Sequence, residues 1–146
     1  PYAIILSFAD SRVVPELTFD TGLGEIFVVR VAGNVANTSS IASMEYAVAH
    51  LGVNLIVVLG HEACGAVTAA LAGGDNGYNL NHLVAHIAPA ISSCCDSDVN
   101  NVVRENAKAT AAELVSRSAI ISKAADAGLQ IAPAYYHLGS GEVEYL

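Results

Sequence analysis

Three short runs constrain what this chain can become. "AIILS", "EIFVVRV" and "LIVVLG" are apolar almost without interruption and rich in Val and Ile, a composition that suits strands. A strand with one wet face alternates apolar and polar residues. A strand that stays apolar along its length is covered on both faces, the condition of a parallel sheet. The runs predict strands over residues 2–7, 25–31 and 55–60. A fourth is predicted over 129–136, and a short edge strand over 142–146 after the turn "GSG".

Helical segments separate the strands. Residues 40–51 open on Ser40 and stop before Gly52. Residues 66–72 stop before "GGDNG". Residues 80–91 are interrupted near Pro89, and residues 99–127 stop before Gly128 with a break around 116–118. The alternation predicts an α/β fold: a mostly parallel sheet flanked by helices, with right-handed crossovers and a short C-terminal edge strand. With no repeat and no linker, residues 1–146 are expected to form a single domain.

Hydrophobic residues make up 53% of the chain and charged residues 14%, yet no run approaches the roughly 20 apolar residues that span a bilayer. The apolar surplus is assigned to two-sided burial of the sheet and to a subunit interface. The net charge of −8 argues against a nucleic-acid partner, which selects a basic face. Three cysteines, two of them the adjacent Cys94 and Cys95, make no disulfide framework. A reducing compartment follows, with a cytoplasmic location expected and an organelle as the alternative. Neither an initiator Met nor a leader segment precedes the first strand, so the N-terminus is expected to be cut or not covered.

In open parallel sheets ligands collect beyond the carboxyl ends of the strands, where strand order reverses. Strand one runs into "FADSR" and strand three into "GHEACGAV". If these strands are neighbours, Asp10, Arg12, His61 and Cys64 meet at one rim. His61 and Cys64 have a spacing that can chelate zinc; the same spacing also serves structural pairs. Asp10 and Arg12 read as a working pair or as an ion pair tying down a loop. Gly65 opens a helix whose amides can hold an anion, or simply permits the turn. His82 and His86, one helical turn apart, can bind metal; without a third ligand they read as helix surface. His50, His137, Cys94 and Cys95 read as structural. "GLGE" and "GSGE" lack the nucleotide-binding G-x-G-x-x-G arrangement.

The segments "SFADSRVVPELTFDTGLGEIFVVRVAGNVAN" and "SIASMEYAVAHLGVNLIVVLGHEACGAV" together resemble the β-class carbonic anhydrases. The likeness resumes at "SAIISKAADAGLQIAPAYYHLGSGEVEYL" and so spans most of the chain. The family's N-terminal helical arm has no counterpart among these residues. The resemblance implies a lyase that interconverts carbon dioxide and bicarbonate with one Zn2+ per subunit, in a homodimer or higher homo-oligomer. His61 and Cys64 match two zinc ligands of the family. Asp10 and Arg12 match its Asp–Arg pair, in which the carboxylate orients the metal's water or itself binds the metal. Phe27 and Tyr46 match aromatics that line the carbon dioxide pocket near the subunit boundary, with Gly65 beside them. Arg30 lies where some members bind bicarbonate.

One departure touches the mechanism. Phe8 occupies the position of the family's first zinc-binding Cys, and a phenyl ring has no lone pair for a metal. Asp10, His61 and Cys64 are the expected substitute ligand set, with water as the fourth ligand and activity weakened. Two alternatives stand beside this. One is a metal-free module, with Phe8 packed into the vacated space, serving dimerisation or bicarbonate binding. The other is a hydrolase of carbonyl sulfide or carbon disulfide on the same fold.

Overall fold

The computed structural model describes residues 1–94 and 96–146. Five strands form one sheet: β1 (Ala3–Ser7), β2 (Ile26–Arg30), β3 (Leu55–His61), β4 (Gln130–Tyr136) and β5 (Val143–Tyr145). Their order is β2-β1-β3-β4-β5, with the first four parallel and β5 antiparallel to β4. The three apolar runs are thus the three adjacent strands at the centre and one edge. Strand order reverses between β1 and β3, so the ends of those two strands form the switch point.

Seven helices are described: α1 (Pro15–Thr18), α2 (Thr38–Leu51), α3 (Gly65–Ala72), α4 (Tyr78–Ala85), α5 (Ala88–Ser93), α6 (Val99–Arg117) and α7 (Ala119–Asp126). The predicted helix over 80–91 is two helices, because Pro89 lacks the N–H that a continuous helix needs and sits instead in the first turn of α5. The predicted break near 116–118 falls at Ser118. This residue caps α7 by accepting a hydrogen bond from the Ile121 N–H, and it donates one to Glu45 Oε1 at 2.6 Å. The start predicted at Ser40 lies earlier, because Asn37 is the cap and its side chain accepts from the Ser40 N–H. Gly52 ends α2 in the left-handed conformation, φ 70°. α1 and a 3-10 turn over Ala32–Asn34 have no counterpart in the sequence reading; both are too short to show a periodicity. Cys95 lies outside the described residues, and Cys94 is a half-buried free thiol after α5.

Side chains alternate across the strands and build two cores. On one face Ile4, Leu6, Ile56 and Val58 meet Met44 and Ala47 of α2, Leu114 of α6 and Ile121 of α7. On the other, Ala3, Ile5, Val57, Leu59 and Ala134 meet Val13 and the half-buried Phe19. That second face leaves a groove edged by Tyr2, Phe19, Ile26 and Tyr145, with Tyr2 and Tyr145 exposed. A third cluster caps the carboxyl ends of the strands, where Phe8, Cys64, Val67, Ile87, Val103 and Tyr135 pack together.

Gly60 lets α6 approach β3. A Cβ there would lie 2.7 Å from Val103 Cγ1, and a valine on a helix has one favoured rotamer with which to give way. Gly60→Ala is expected to lower stability by about 1–3 kcal/mol, seen as a lower urea midpoint with an unchanged slope.

Candidate active site

β1 ends at Ser7, and Phe8 follows it into the interior with 2% of its surface exposed. The chain then turns so that Asp10 and Arg12 face the rim. Arg12 grips Asp10 three ways. Its backbone N–H and its Nε donate to Oδ1 at 2.9 and 3.0 Å, and its Nη2 donates to Oδ2 at 2.8 Å. This guanidinium, against a smaller opposing effect of burial, holds the Asp10 carboxyl well below the usual carboxylate range. Arg12 Nη2 also donates to the Ala63 carbonyl at 3.1 Å, so one side chain spans both loops of the switch point.

The loop as a whole is held by Arg30 at the end of β2. Its Nε donates to the Phe8 carbonyl at 2.8 Å, and its Nη2 to the carbonyls of Asp10 and Val13 at 2.6 and 2.8 Å. Arg30 therefore acts within the chain as a clamp on the β1–α1 connection.

His61 is the last residue of β3 and is fully buried. Its Nδ1 lies 2.7 Å from the Glu62 carbonyl, which can only accept, so Nδ1 carries the proton. Burial lowers the imidazole's proton affinity, and the ring is neutral with a bare lone pair on Nε2. That Nε2 is buried and has no hydrogen-bond partner among the described residues. Asp10 Oδ2, at 3.5 Å, is beyond direct hydrogen-bond range. Cys64, 1% exposed, is the residue before α3. Burial pushes its thiol up, while the backbone N–H groups of Val67 and Ala66 at the helix start work in the opposite direction.

These groups share a cavity of about 170 Å³ lined by Phe8, Asp10, Gly33, His61, Cys64 and Gly65, among others. A buried ring nitrogen with an unused lone pair, oriented by a carbonyl on its other nitrogen, is the arrangement of a metal-ligating histidine. His61 and Cys64 therefore fit a zinc ion. Phe8 does not: its ring stands edge-on to the His61 ring, centroids 4.4 Å apart. Asp10 fits only on leaving Arg12. Among the described residues, no three His, Cys, Asp or Glu side chains are already gathered as a metal-binding group.

The structure thus brings Asp10, Arg12, His61, Cys64 and Gly65 to one rim. It does not bring Phe27 or Tyr46 there. Phe27 lies mid-strand opposite Ile4 and packs on the helix-covered core, and Tyr46 is 54% exposed on α2 beside His50; neither lines this cavity within one chain. His137 bonds Glu144 at 3.0 Å across the β4–β5 turn.

Asn100 escaped the sequence reading. Its Oδ1 accepts from the Ala63 N–H at 2.9 Å, and Ala63 stands at φ 52°, a left-handed conformation that costs an alanine roughly 1 kcal/mol or more. Asn100 lies 37 residues beyond Ala63, so no local pattern links them. Asn100→Ala is expected to loosen the loop and raise the alkylation rate of Cys64 by about tenfold, the effect of about 1.4 kcal/mol in local opening. Asn100→Asp, which keeps the acceptor, should leave that rate near the parent's.

Comparison with known proteins identifies the family. The family model for carbonic anhydrase matches residues 3–143. A carbonic anhydrase of Mycolicibacterium smegmatis is 41% identical over 152 aligned residues, covering 99% of this chain and 74% of that protein. Carbonic anhydrase 2 of Mycobacterium tuberculosis is 42% identical, covering 97% of this chain and 72% of its own length. A tetrameric β-carbonic anhydrase of Sordaria macrospora superposes over 100% of this chain and 80% of its own with a TM-score of 0.89 at 26% identity. Matched along nearly its full length in sequence and in backbone, the chain belongs to the β-class carbonic anhydrase family.

Proposed function

We propose that the protein catalyses the reversible hydration of carbon dioxide to bicarbonate at the rim between β1 and β3, and that it does so with zinc and with reduced turnover. The observation that carries this is the bare, buried Nε2 of His61, which shares its cavity with the Cys64 thiol and lies 3.5 Å from Asp10. Zinc, when bound, supplies Lewis acidity that activates water toward carbon dioxide. His61 Nε2 and Cys64 Sγ would hold the ion. Cys64 gives up its proton on binding, a step its burial opposes and the α3 amides assist. Asp10 either stays with Arg12 and accepts a hydrogen bond from the reacting water, or leaves Arg12 and becomes the third ligand. It cannot do both, which is why turnover is reduced.

A specific observation favours a second reading. Phe8 fills the place beside His61, and both Asp10 oxygens are already engaged by Arg12. A metal-free module that binds bicarbonate or a subunit partner fits that state. Zinc content after incubation and desalting separates the two. About one zinc per chain, with hydration above the uncatalysed rate, supports the enzyme; a folded protein that keeps no zinc supports the module. Turnover of carbonyl sulfide or carbon disulfide in preference to carbon dioxide would replace the substrate.

We further propose a homo-oligomer, supported by the apolar groove on the thinly covered sheet face and by the tetrameric relative. Phe27 and Tyr46 then belong to the carbon dioxide pocket only across a subunit boundary. The free cysteines among the described residues support a reducing, cytoplasmic setting. Among those residues no helix is long and apolar enough to cross a membrane.

A further inference from the structure

We propose that His82 and His86 on α4 form a second metal site, separate from the rim, that takes a divalent transition cation of the copper, nickel and zinc group. The two residues stand four apart, and the helical backbone continues through His86, whose φ of −68° and ψ of −23° keep it in register as the capping residue. Side chains at that spacing lie on one face of a helix, the placement used by helical two-histidine metal ligands.

The ring separation is compatible with a shared ion. With a metal–nitrogen distance of roughly 2.0–2.1 Å, and a ring centre roughly 1.1 Å further on, two imidazoles on one metal have centroids roughly 4.5 Å apart at a right angle and roughly 5.2 Å apart at a tetrahedral angle. The observed separation is 5.3 Å. The rings are inclined at 80°, which chelation permits because each ring turns about its own metal–nitrogen bond. Among the described residues, no hydrogen bond or ion pair engages either ring. His82 is exposed and His86 half-buried, which leaves water access to the remaining coordination positions. Imidazole donors select copper, nickel and zinc, with copper the tightest. They disfavour magnesium and calcium, which want oxygen. The chain's net charge of −8 draws cations to the surface. Neither histidine lines the rim cavity.

Calorimetric titration with Ni2+ tests this on the full chain, comparing the parent with Cys64→Ser, His82→Gln and His86→Gln. Cys64→Ser disables the rim, so its titration reports the α4 site alone. The expected result is one Ni2+ per chain on Cys64→Ser, with the same binding step present in the parent and weakened tenfold or more in each histidine variant, and with the ring NMR signals of His82 and His86 broadening first. Unchanged thermal unfolding of the two histidine variants in the absence of metal shows that the loss is not misfolding. Three results overturn the proposal: no stoichiometric Ni2+ on the parent, Ni2+ lost only in Cys64→Ser, or affinity unchanged in either histidine variant. Ni2+ lost only in Cys64→Ser would place the metal at the rim and so favour the rim reading while overturning this one; the other two results leave zinc at the rim untouched.

Discussion

Phe8→Cys is expected to raise zinc affinity about a hundredfold and to raise the carbon dioxide hydration rate with it. A full structural zinc site is worth roughly 10–16 kcal/mol, so one ligand of four contributes about 3 kcal/mol, which is about two powers of ten in affinity. The substitution also frees Asp10. With a third protein donor in place, the carboxylate can stay with Arg12 and orient water instead of binding the ion. The same change has a cost in the metal-free protein. Phe8 is buried among Val35, Ile87, Val102, Val103 and Tyr135, and exchanging a phenyl ring for a thiol leaves a hole worth roughly 2–4 kcal/mol. The variant should therefore unfold at a lower temperature than the parent without zinc and recover that loss with it. Competition against a chelator of known affinity, run beside thermal unfolding with and without zinc, measures both effects. Equal zinc affinity in parent and variant would show that position 8 is not the missing ligand position.

Arg30→Ala should have the second-largest effect, through the backbone. Three carbonyls of one loop, those of Phe8, Asp10 and Val13, accept hydrogen bonds from a single guanidinium. Bonds to a charged group are individually worth about 1.5–3 kcal/mol, but three that share one side chain do not add, and this one is partly exposed; a loss of about 2–3 kcal/mol in unfolding free energy is expected. Because the clamp holds the segment that carries Phe8 and Asp10, hydration activity should fall further than stability at a temperature where both proteins are folded. Arg30→Lys restores the charge without the planar fork, and should recover part of the stability and little of the loop order. Denaturant unfolding and activity, measured on the same three proteins, would show a purely bicarbonate-binding Arg30 by leaving stability unmoved.

The strands could be anticipated for a simple reason, though not the order in which they pair. A strand covered on both faces must be apolar at every position, and that signal is local. Gly52 at the end of α2, Pro89 between α4 and α5, and Ser118 at the head of α7 were legible because a missing side chain, a missing N–H or a capping hydroxyl acts within a few residues of where it stands. The start of α2 at Asn37 is not legible in the same way, because Ser40 is an equally good cap by composition and only backbone geometry chooses between them.

The site divides along the same line. His61 and Cys64 are three apart and travel together, as do Asp10 and Arg12, so each pair announces itself in the sequence. That the pairs meet depends on β1 and β3 being neighbours, a contact between segments about fifty residues apart. Asn100 under Ala63, Arg30 across three carbonyls, and the edge of Phe8 against His61 are likewise invisible to any periodicity, because each joins segments distant in sequence. The sequence by itself determined the strands, where α2, α3 and α6 stop and the reactive residue types, since these follow from backbone preferences and burial summed over a few neighbours. Only the tertiary structure decided that His61 presents a bare nitrogen, that Arg12 already holds both oxygens of Asp10, and that Phe27 and Tyr46 lie away from the rim, because hydrogen bonding and burial at those groups depend on which distant segments the sheet brings together.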